Sequence, residues 1–202
     1  MKLYKFFEKI RIKLSKLLFV IVFVIIIFSQ PLLENKTTII LLNSLGYIVL
    51  TFSVLGRLWA SAYLHGYKNK KLITTGPYSI TRNPLYFFSF LGSLAIILVL
   101  KSGIIMAFFL ITFLFIYPAT IRAEERKLEK IFGKAYKDYK QEVPRFIPKF
   151  SLYSEPVFYT MKIKSYKKAF YDAFWWFLFF GFFQILPLLQ DITSIPILFY
   201  LP

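Results

Sequence analysis

Apolar runs of bilayer length constrain this chain more than any other feature. The first extends from Leu17 to Leu33, the second from Thr38 to about Ala60, the third from Pro84 to Leu100 and the fourth from Ile104 to Ile121. A bilayer interior about 30 Å thick is crossed by about 20 apolar residues in a helix, so each run is a candidate span. The first is too long for a signal peptide and lacks a small-residue cleavage site, which makes it an expected anchor. Only Lys101, Ser102 and Gly103 separate the third run from the fourth, and so short a link forces an antiparallel helical hairpin. A fifth run, from about Phe170 to Leu189, is interrupted by Asp172, Gln184 and Pro187. It reads either as a span or as a re-entrant or interfacial helix with Trp175 and Trp176 at the headgroup level.

The chain is 57% hydrophobic and 21% aromatic, and its net charge is +16. So much apolar material exceeds what a soluble domain of this length carries. The basic residues flank apolar runs and no nucleic-acid motif accompanies them, so no nucleic-acid partner is expected. Their placement reports orientation instead. Lys2, Lys5, Lys9, Arg11, Lys13 and Lys16 precede the first run; Lys68, Lys70, Lys71 and Arg82 follow the second; a dense stretch from Arg122 to Lys168 follows the fourth. The links after the first and third runs carry one lysine each, Lys36 and Lys101. The alternation predicts a cytoplasmic N-terminus. Arg57, inside the second run, is expected to snorkel to the headgroups. Cysteine is absent and His65 is the only histidine. Disulfides, thiolate chemistry and a histidine-built metal site are therefore not expected, and no metal ligands are assigned.

Two segments on the basic side carry chemistry. The first, from Gly66 to Tyr86, reads GYKNKKLITTGPYSITRNPLY. Thr75-Gly76-Pro77-Tyr78 has turn chemistry. Asn83 is a candidate helix cap, and Pro84 suits a first helical position. The second, from Ile121 to Pro148, reads IRAEERKLEKIFGKAYKDYKQEVPRFIP. Glu124 and Glu125 must leave a helix in different directions, whereas Arg122, Glu125 and Glu129 share a stripe. Leu128, Ile131 and Phe132 form an apolar stripe, Gly133 is a candidate C-cap, and a short helix bearing Tyr136 and Tyr139 should stop before Pro144. By themselves the segments fit a well-built loop and an amphipathic interfacial helix.

Together, Gly76-Pro77-Tyr78 through Arg82-Asn83-Pro84-Leu85-Tyr86, and Glu124-Glu125 through Leu128, Phe132-Gly133, Tyr136, Tyr139 and Val143-Pro144-Arg145, resemble the paired motifs of the membrane-embedded methyltransferases for isoprenylcysteine carboxyl groups and phospholipid amines. The resemblance covers about residues 57 to 148. Asn83 stands where that family often has histidine. Thr120 stands where the eukaryotic carboxyl methyltransferases have an arginine for the substrate carboxylate, with Arg122 two residues on. The resemblance implies an all-α integral membrane protein, a bundle of four to five transmembrane helices whose cytoplasmic helical segments form a cofactor pocket. It implies one domain over 1–202, with an N-terminal hairpin over 1–60, a methyltransferase core over 61–148, and a basic segment and hydrophobic helix over 149–202. The implied cofactor is S-adenosyl-L-methionine. Lys70, Lys71, Leu72 and Ile73 would line its site, Tyr63, Tyr78, Asn83, Pro84, Leu85 and Tyr86 would complete the wall, and Glu124 would bind the ribose hydroxyls. A membrane lipid or lipid-anchored acceptor would enter between helices near Tyr86 and Arg122, the tyrosine offering an aromatic face and the arginine orienting a carboxylate or phosphate. Two other readings stand beside this one: a non-catalytic protein that binds anionic lipid or a partner, and a nicotinamide-dependent membrane reductase.

Overall fold

The computed structural model describes residues 20–64, 67, 69–161 and 163–202. The first basic cluster, Lys2 to Lys16, the start of the first apolar run, and Gly66, His65 and Lys68 lie outside the described residues. Helical residues 20–27 lead into strand β1 (Ser29–Pro31). Helix α1 (Lys36–Leu64) follows, then the single turn α2 (Pro77–Ile80), α3 (Pro84–Leu100), α4 (Gly103–Phe132), α5 (Lys134–Glu142), a 3-10 turn (Phe150–Leu152), α6 (Ile163–Thr193) and strand β2 (Phe199–Leu201).

The expected runs become helices, with altered limits. Three are long and apolar enough to cross a membrane: α1, α4 and the part of α6 from Tyr166 to Thr193. Helix α3 has 17 residues and rises about 25 Å at 1.5 Å per residue, short of a typical hydrocarbon core. Among the described residues, three helices thus meet the length and composition of a span; the first of the expected runs begins outside them. The fifth run is one continuous helix of 31 residues that keeps Pro187 in its interior. Gln184 Oε1 accepts from the Tyr47 hydroxyl on α1, which lowers the cost of an amide within an apolar helix. Helix α4 does not stop where its apolar run ends. It continues ten residues beyond Arg122, so the charged second motif is an extension of the same rod.

Helix α1 packs against both α3 and α6. The α1–α3 seam is made by small residues: Ser53 Oγ donates to Phe88 O at 2.6 Å, and a Cβ on Gly92 would lie 2.7 Å from Ser53 Oγ and 2.9 Å from the Trp176 ring. Leu50, Val54, Ala95, Val99, Ala173 and Phe180 fill the core between the three helices. Strands β1 and β2 pair in parallel, and Leu32 N–H donates to Leu201 O. Ser102 Oγ donates to Pro202 O. The starts of α1 and α4 and the end of α6 thus share one end of the bundle. That end carries Lys36 and Lys101; Lys71, Arg82 and the stretch from Arg122 to Lys149 gather at the other.

The hairpin between α3 and α4 forms as expected. Lys101 takes a left-handed φ of 55°, and Ser102 caps α4 by accepting from Ile105 N–H at 3.3 Å. Phe90, Phe109, Phe113 and Tyr117 ladder along the seam, and Phe146 packs against Phe87, Phe90 and Phe113 at 5.5–6.0 Å between centroids.

Candidate functional site

The two motif segments are bound together by one buried carboxylate. Glu125 is 3% exposed. Its Oε1 accepts from Arg82 Nε at 2.9 Å and Asn83 Nδ2 at 3.3 Å, and its Oε2 accepts from Arg145 Nε at 3.0 Å. Arg82 Nη1 also donates to the carbonyls of Lys140 and Val143, and Arg82 N–H donates to Pro144 O. Asn83 does hold the N-cap position, with Pro84 at N1, but its side chain makes no capping bond. Its Nδ2 instead donates to Glu125 Oε1 and to Arg145 O, the latter at 2.9 Å, and the bond to the carboxylate is charge-assisted. Gly76 bends the first segment at φ 61°, ψ −131°, a conformation reserved for glycine. Gly76 N–H donates to Ser154 O at 2.7 Å.

This stitching leaves a cavity between the loop before α3, the head of α3, and the α4–α5 extension, with about 640 Å³ of empty space including the part open to solvent. Lys71, Leu72, Ile73 and Tyr78 line it from the loop, and Asn83, Pro84, Leu85 and Tyr86 from the head of α3. Glu124 lines it from α4, with its Oε2 accepting from the Tyr86 hydroxyl at 2.9 Å. Nine of the expected site residues thus meet at one cavity. Three do not. Lys70 is exposed beside it. Tyr63 is buried behind the loop, donating to Glu155 Oε1 at 3.1 Å and stacked on Tyr159. Arg122 is exposed and folds back on its own helix, Nε to Pro118 O at 3.1 Å. It sits two residues before Glu124, and on a helix that spacing turns a side chain to the far face.

Leu64, Asn69, Arg82, Leu128, Phe132, Tyr136 and Tyr139 also line the cavity and were not foreseen as wall residues. A signal for two of them exists: Glu124, Leu128 and Phe132 fall at i, i+4 and i+8, one face of a helix. The foreseen stripe, Leu128, Ile131 and Phe132, splits, since Ile131 is 43% exposed. Gly133 ends α4 at φ 56°, and α5 carries Tyr136 and Tyr139 inward as expected.

The wall is a set of neutral phenols around one carboxylate. Burial pushes the Tyr78, Tyr136 and Tyr139 phenols up, with Tyr139, Glu125 and Tyr136 respectively adding to the effect. All three remain protonated donors across the physiological range. Tyr139 donates to Tyr78 O at 2.6 Å. Tyr78 lines the cavity, and its hydroxyl is buried and has no hydrogen-bond partner. A buried donor without a partner costs about 1–3 kcal/mol, and a ligand in the cavity would satisfy it. A carboxylate can accept from two neighbouring hydroxyls, and phenyl and phenol faces attract a cation. The lining therefore fits a ligand with a diol, an aromatic portion and a positive centre, the features of S-adenosyl-L-methionine.

Residues 37–135 match the family model described as phospholipid methyltransferase. This segment belongs to the phospholipid methyltransferase family. The family segment starts within α1 and ends just inside α5, so it holds the cavity's lining except Tyr136 and Tyr139. The chain is also similar to the cobalt-zinc-cadmium resistance protein CzcN of Cupriavidus metallidurans, 36% identical over 67% of this chain. The nickel-cobalt-cadmium resistance protein NccN of Alcaligenes xylosoxydans xylosoxydans is 34% identical over 66% of it. In each case the match spans 62% of the relative's length. No solved structure matches the chain.

Proposed function

We propose that this protein is a membrane methyltransferase that uses S-adenosyl-L-methionine to methylate a membrane-resident acceptor. The observation that carries the reading is the unpartnered hydroxyl of Tyr78, a residue that lines the same cavity as Glu124 within the family segment. Glu124 would accept from the ribose hydroxyls, while Tyr86 holds the carboxylate in place through its 2.9 Å bond. Tyr78 would donate to an acceptor atom of the cofactor. The rings of Phe132, Tyr136 and Tyr139 would shed water from the site and flank the positive centre. Lys71, at the loop edge, suits the cofactor's carboxylate. When bound, the cofactor supplies a methyl group on a sulfonium, already activated for in-line displacement. The protein's task is alignment and exclusion of water.

The more basic end of the bundle carries the cavity, so positive-inside placement puts it at the cytoplasmic face. The relatives' names speak of metal resistance. This chain has no cysteine, and among the described residues no group of three histidine, aspartate or glutamate side chains is placed to hold an ion. A role beside metal resistance would run through methylation of a membrane component.

Calorimetric titration of detergent-purified protein with S-adenosylhomocysteine, and separately with NADPH, tests the reading. Binding of the first alone is expected. Binding of NADPH alone would replace the methyltransferase by the reductase.

A further inference from the structure

The segment between α5 and α6 holds the cofactor loop with one side and leaves the other side bare. Phe146 enters the seam of α3 and α4, its ring centroid 5.6 Å from that of Phe87 and 5.5 Å from that of Phe113. Phe113 lies eight residues before Ile121, where the fourth apolar run ends, so it sits roughly 12 Å inside that run at the helical rise. The segment therefore begins at hydrocarbon depth. Farther along, Tyr153 lies against Trp59 at 6.0 Å and Tyr159 stacks on Tyr63 at 4.4 Å, both near the end of α1. The chain then enters α6, whose membrane-length part starts at Tyr166. Between these points Ile147 is 76% exposed, Phe150 74%, Val157 89% and Phe158 90%. None of the four belongs to a spanning helix, and large apolar side chains so bare mark a surface that is covered in use.

Depth and charge identify the cover. From residue 143 to residue 168 the basic side chains are Arg145, Lys149, Lys162, Lys164, Lys167 and Lys168, and the one acidic side chain is Glu155. Glu155 is occupied by phenols: it accepts from Tyr63 at 3.1 Å and from Tyr153 at 2.8 Å. Lys149, Lys167 and Lys168 are exposed. Bare apolar side chains and aromatic rings interleaved with lysines, beside the mouth of a span, fit the headgroup layer of a leaflet that carries anionic lipid.

The other side of the segment grips the first motif. Gly76 N–H donates to Ser154 O at 2.7 Å, Ser154 N–H donates to Ser79 Oγ at 3.0 Å, and Lys149 N–H donates to Ile80 O at 2.9 Å. Thr81 Oγ1 donates to Phe146 O at 3.1 Å. These bonds bracket α2, whose Tyr78 lines the cofactor cavity. Lifting the segment from the membrane surface would strain or break them.

We propose that residues 146–159 dock on the phospholipid headgroup layer at the cavity end of the bundle, with a preference for anionic lipid, and that this docking steadies the cavity wall that carries Tyr78. The lipids act here as a surface and not as the methyl acceptor. Docking stands on the bare side chains and the charge alone, whereas its effect on cofactor affinity rests on the methyltransferase reading.

The full chain in nanodiscs tests both parts. Because the sequence has no cysteine, Phe158→Cys accepts a single fluorescent label, and Lys137→Cys on α5 provides the comparison position. The discs hold phosphatidylcholine alone or with about one-third phosphatidylglycerol, each doped with a lipid that carries a nitroxide quencher high on its acyl chain. The label at position 158 should be quenched more strongly than the label at 137. Its quenching should deepen with phosphatidylglycerol and relax in high salt, which screens the lysines. Quenching at 158 no stronger than at 137 overturns the docking and leaves the patch to a protein partner. Quenching indifferent to phosphatidylglycerol and to salt overturns the anionic preference. In calorimetry on the unaltered protein, S-adenosylhomocysteine should bind at least about fivefold more tightly in the anionic discs, the measure of one lysine's attraction to the leaflet passed on to the loop. The double variant Val157→Ser, Phe158→Ser, changed at two of the barest positions, should lose that difference and keep the affinity seen in phosphatidylcholine alone. Equal affinity in the two kinds of disc for the unaltered protein overturns the coupling. Strong quenching at 158 in a protein that binds no S-adenosylhomocysteine in either disc would leave the docking standing and remove the methyltransferase reading.

Discussion

Adjacent glutamates at positions 124 and 125 have unequal surroundings, and substitution separates them. Glu125→Ala leaves Arg82, 7% exposed at its side chain, without its carboxylate and strands Asn83 as well. Breaking one side of a buried ion pair costs about 3–5 kcal/mol, so this variant should unfold well below the parent in a thermal melt followed in detergent. Glu124→Ala removes the partner of a cavity-facing phenol. Its stability should change by no more than about 1 kcal/mol, the range of an ordinary hydrogen bond, while S-adenosylhomocysteine binding is lost in calorimetry. Normal cofactor affinity in that variant would mean that Glu124 is not the ribose ligand. Tyr78→Phe removes an unpartnered hydroxyl, so the melt should not fall, yet cofactor affinity should drop about tenfold, the value of one hydrogen bond of about 1.4 kcal/mol. A loss of stability with unchanged affinity would assign the hydroxyl to the fold instead.

At the scale of elements, α1 and α3 approach through side chains with almost no volume. Gly92→Val pushes atoms into Ser53 and Trp176 and should cost about 1–3 kcal/mol as overpacking, read as a lowered melting midpoint. An unchanged midpoint would mean that the seam has slack. The α5 unit behaves differently, because its inward face is made of phenols. For Tyr78, Tyr136 and Tyr139 the folded state raises the phenol pKa above its unfolded value of about 10. Their contribution to stability is complete below that value and is lost as pH rises above it, because the unfolded chain then releases protons that the folded chain retains. The melting midpoint should therefore be flat with respect to these groups from about pH 7 to 9 and should fall above about pH 10. A midpoint that rises over the alkaline interval would contradict the buried, neutral phenols.

For the whole molecule, charge and cavity lie at the same end of the bundle. The absence of cysteine makes a labelling experiment direct. Lys36→Cys and Lys137→Cys occupy opposite ends, and a membrane-impermeant maleimide applied to intact cells should modify the first and spare the second. Modification of Lys137→Cys from outside would invert the orientation and place the cavity on the outer face.

The spans, the alternation of charge and the two motif segments were legible in the sequence, because helix periodicity, capping and hydropathy are local properties. Gly133 as the end of α4, the tyrosine-bearing α5 and the hairpin at Lys101 needed no tertiary information. Side-chain partners across the fold were not legible. Asn83 has the sequence of a cap and becomes a ligand of Glu125, because that carboxylate is buried only once α4 has docked on the loop. Arg122 has the chemistry expected near a substrate anion, yet the turn of α4 points it away, while Arg57, distant in sequence and read as a surface anchor, is held by Ser89 of α3 and the Trp176 ring of α6. Hydropathy reports how much each segment prefers to leave water. Which helices face each other, and so which polar atoms are left without partners, depends on contacts between residues far apart in the chain, and only the packed bundle decides them.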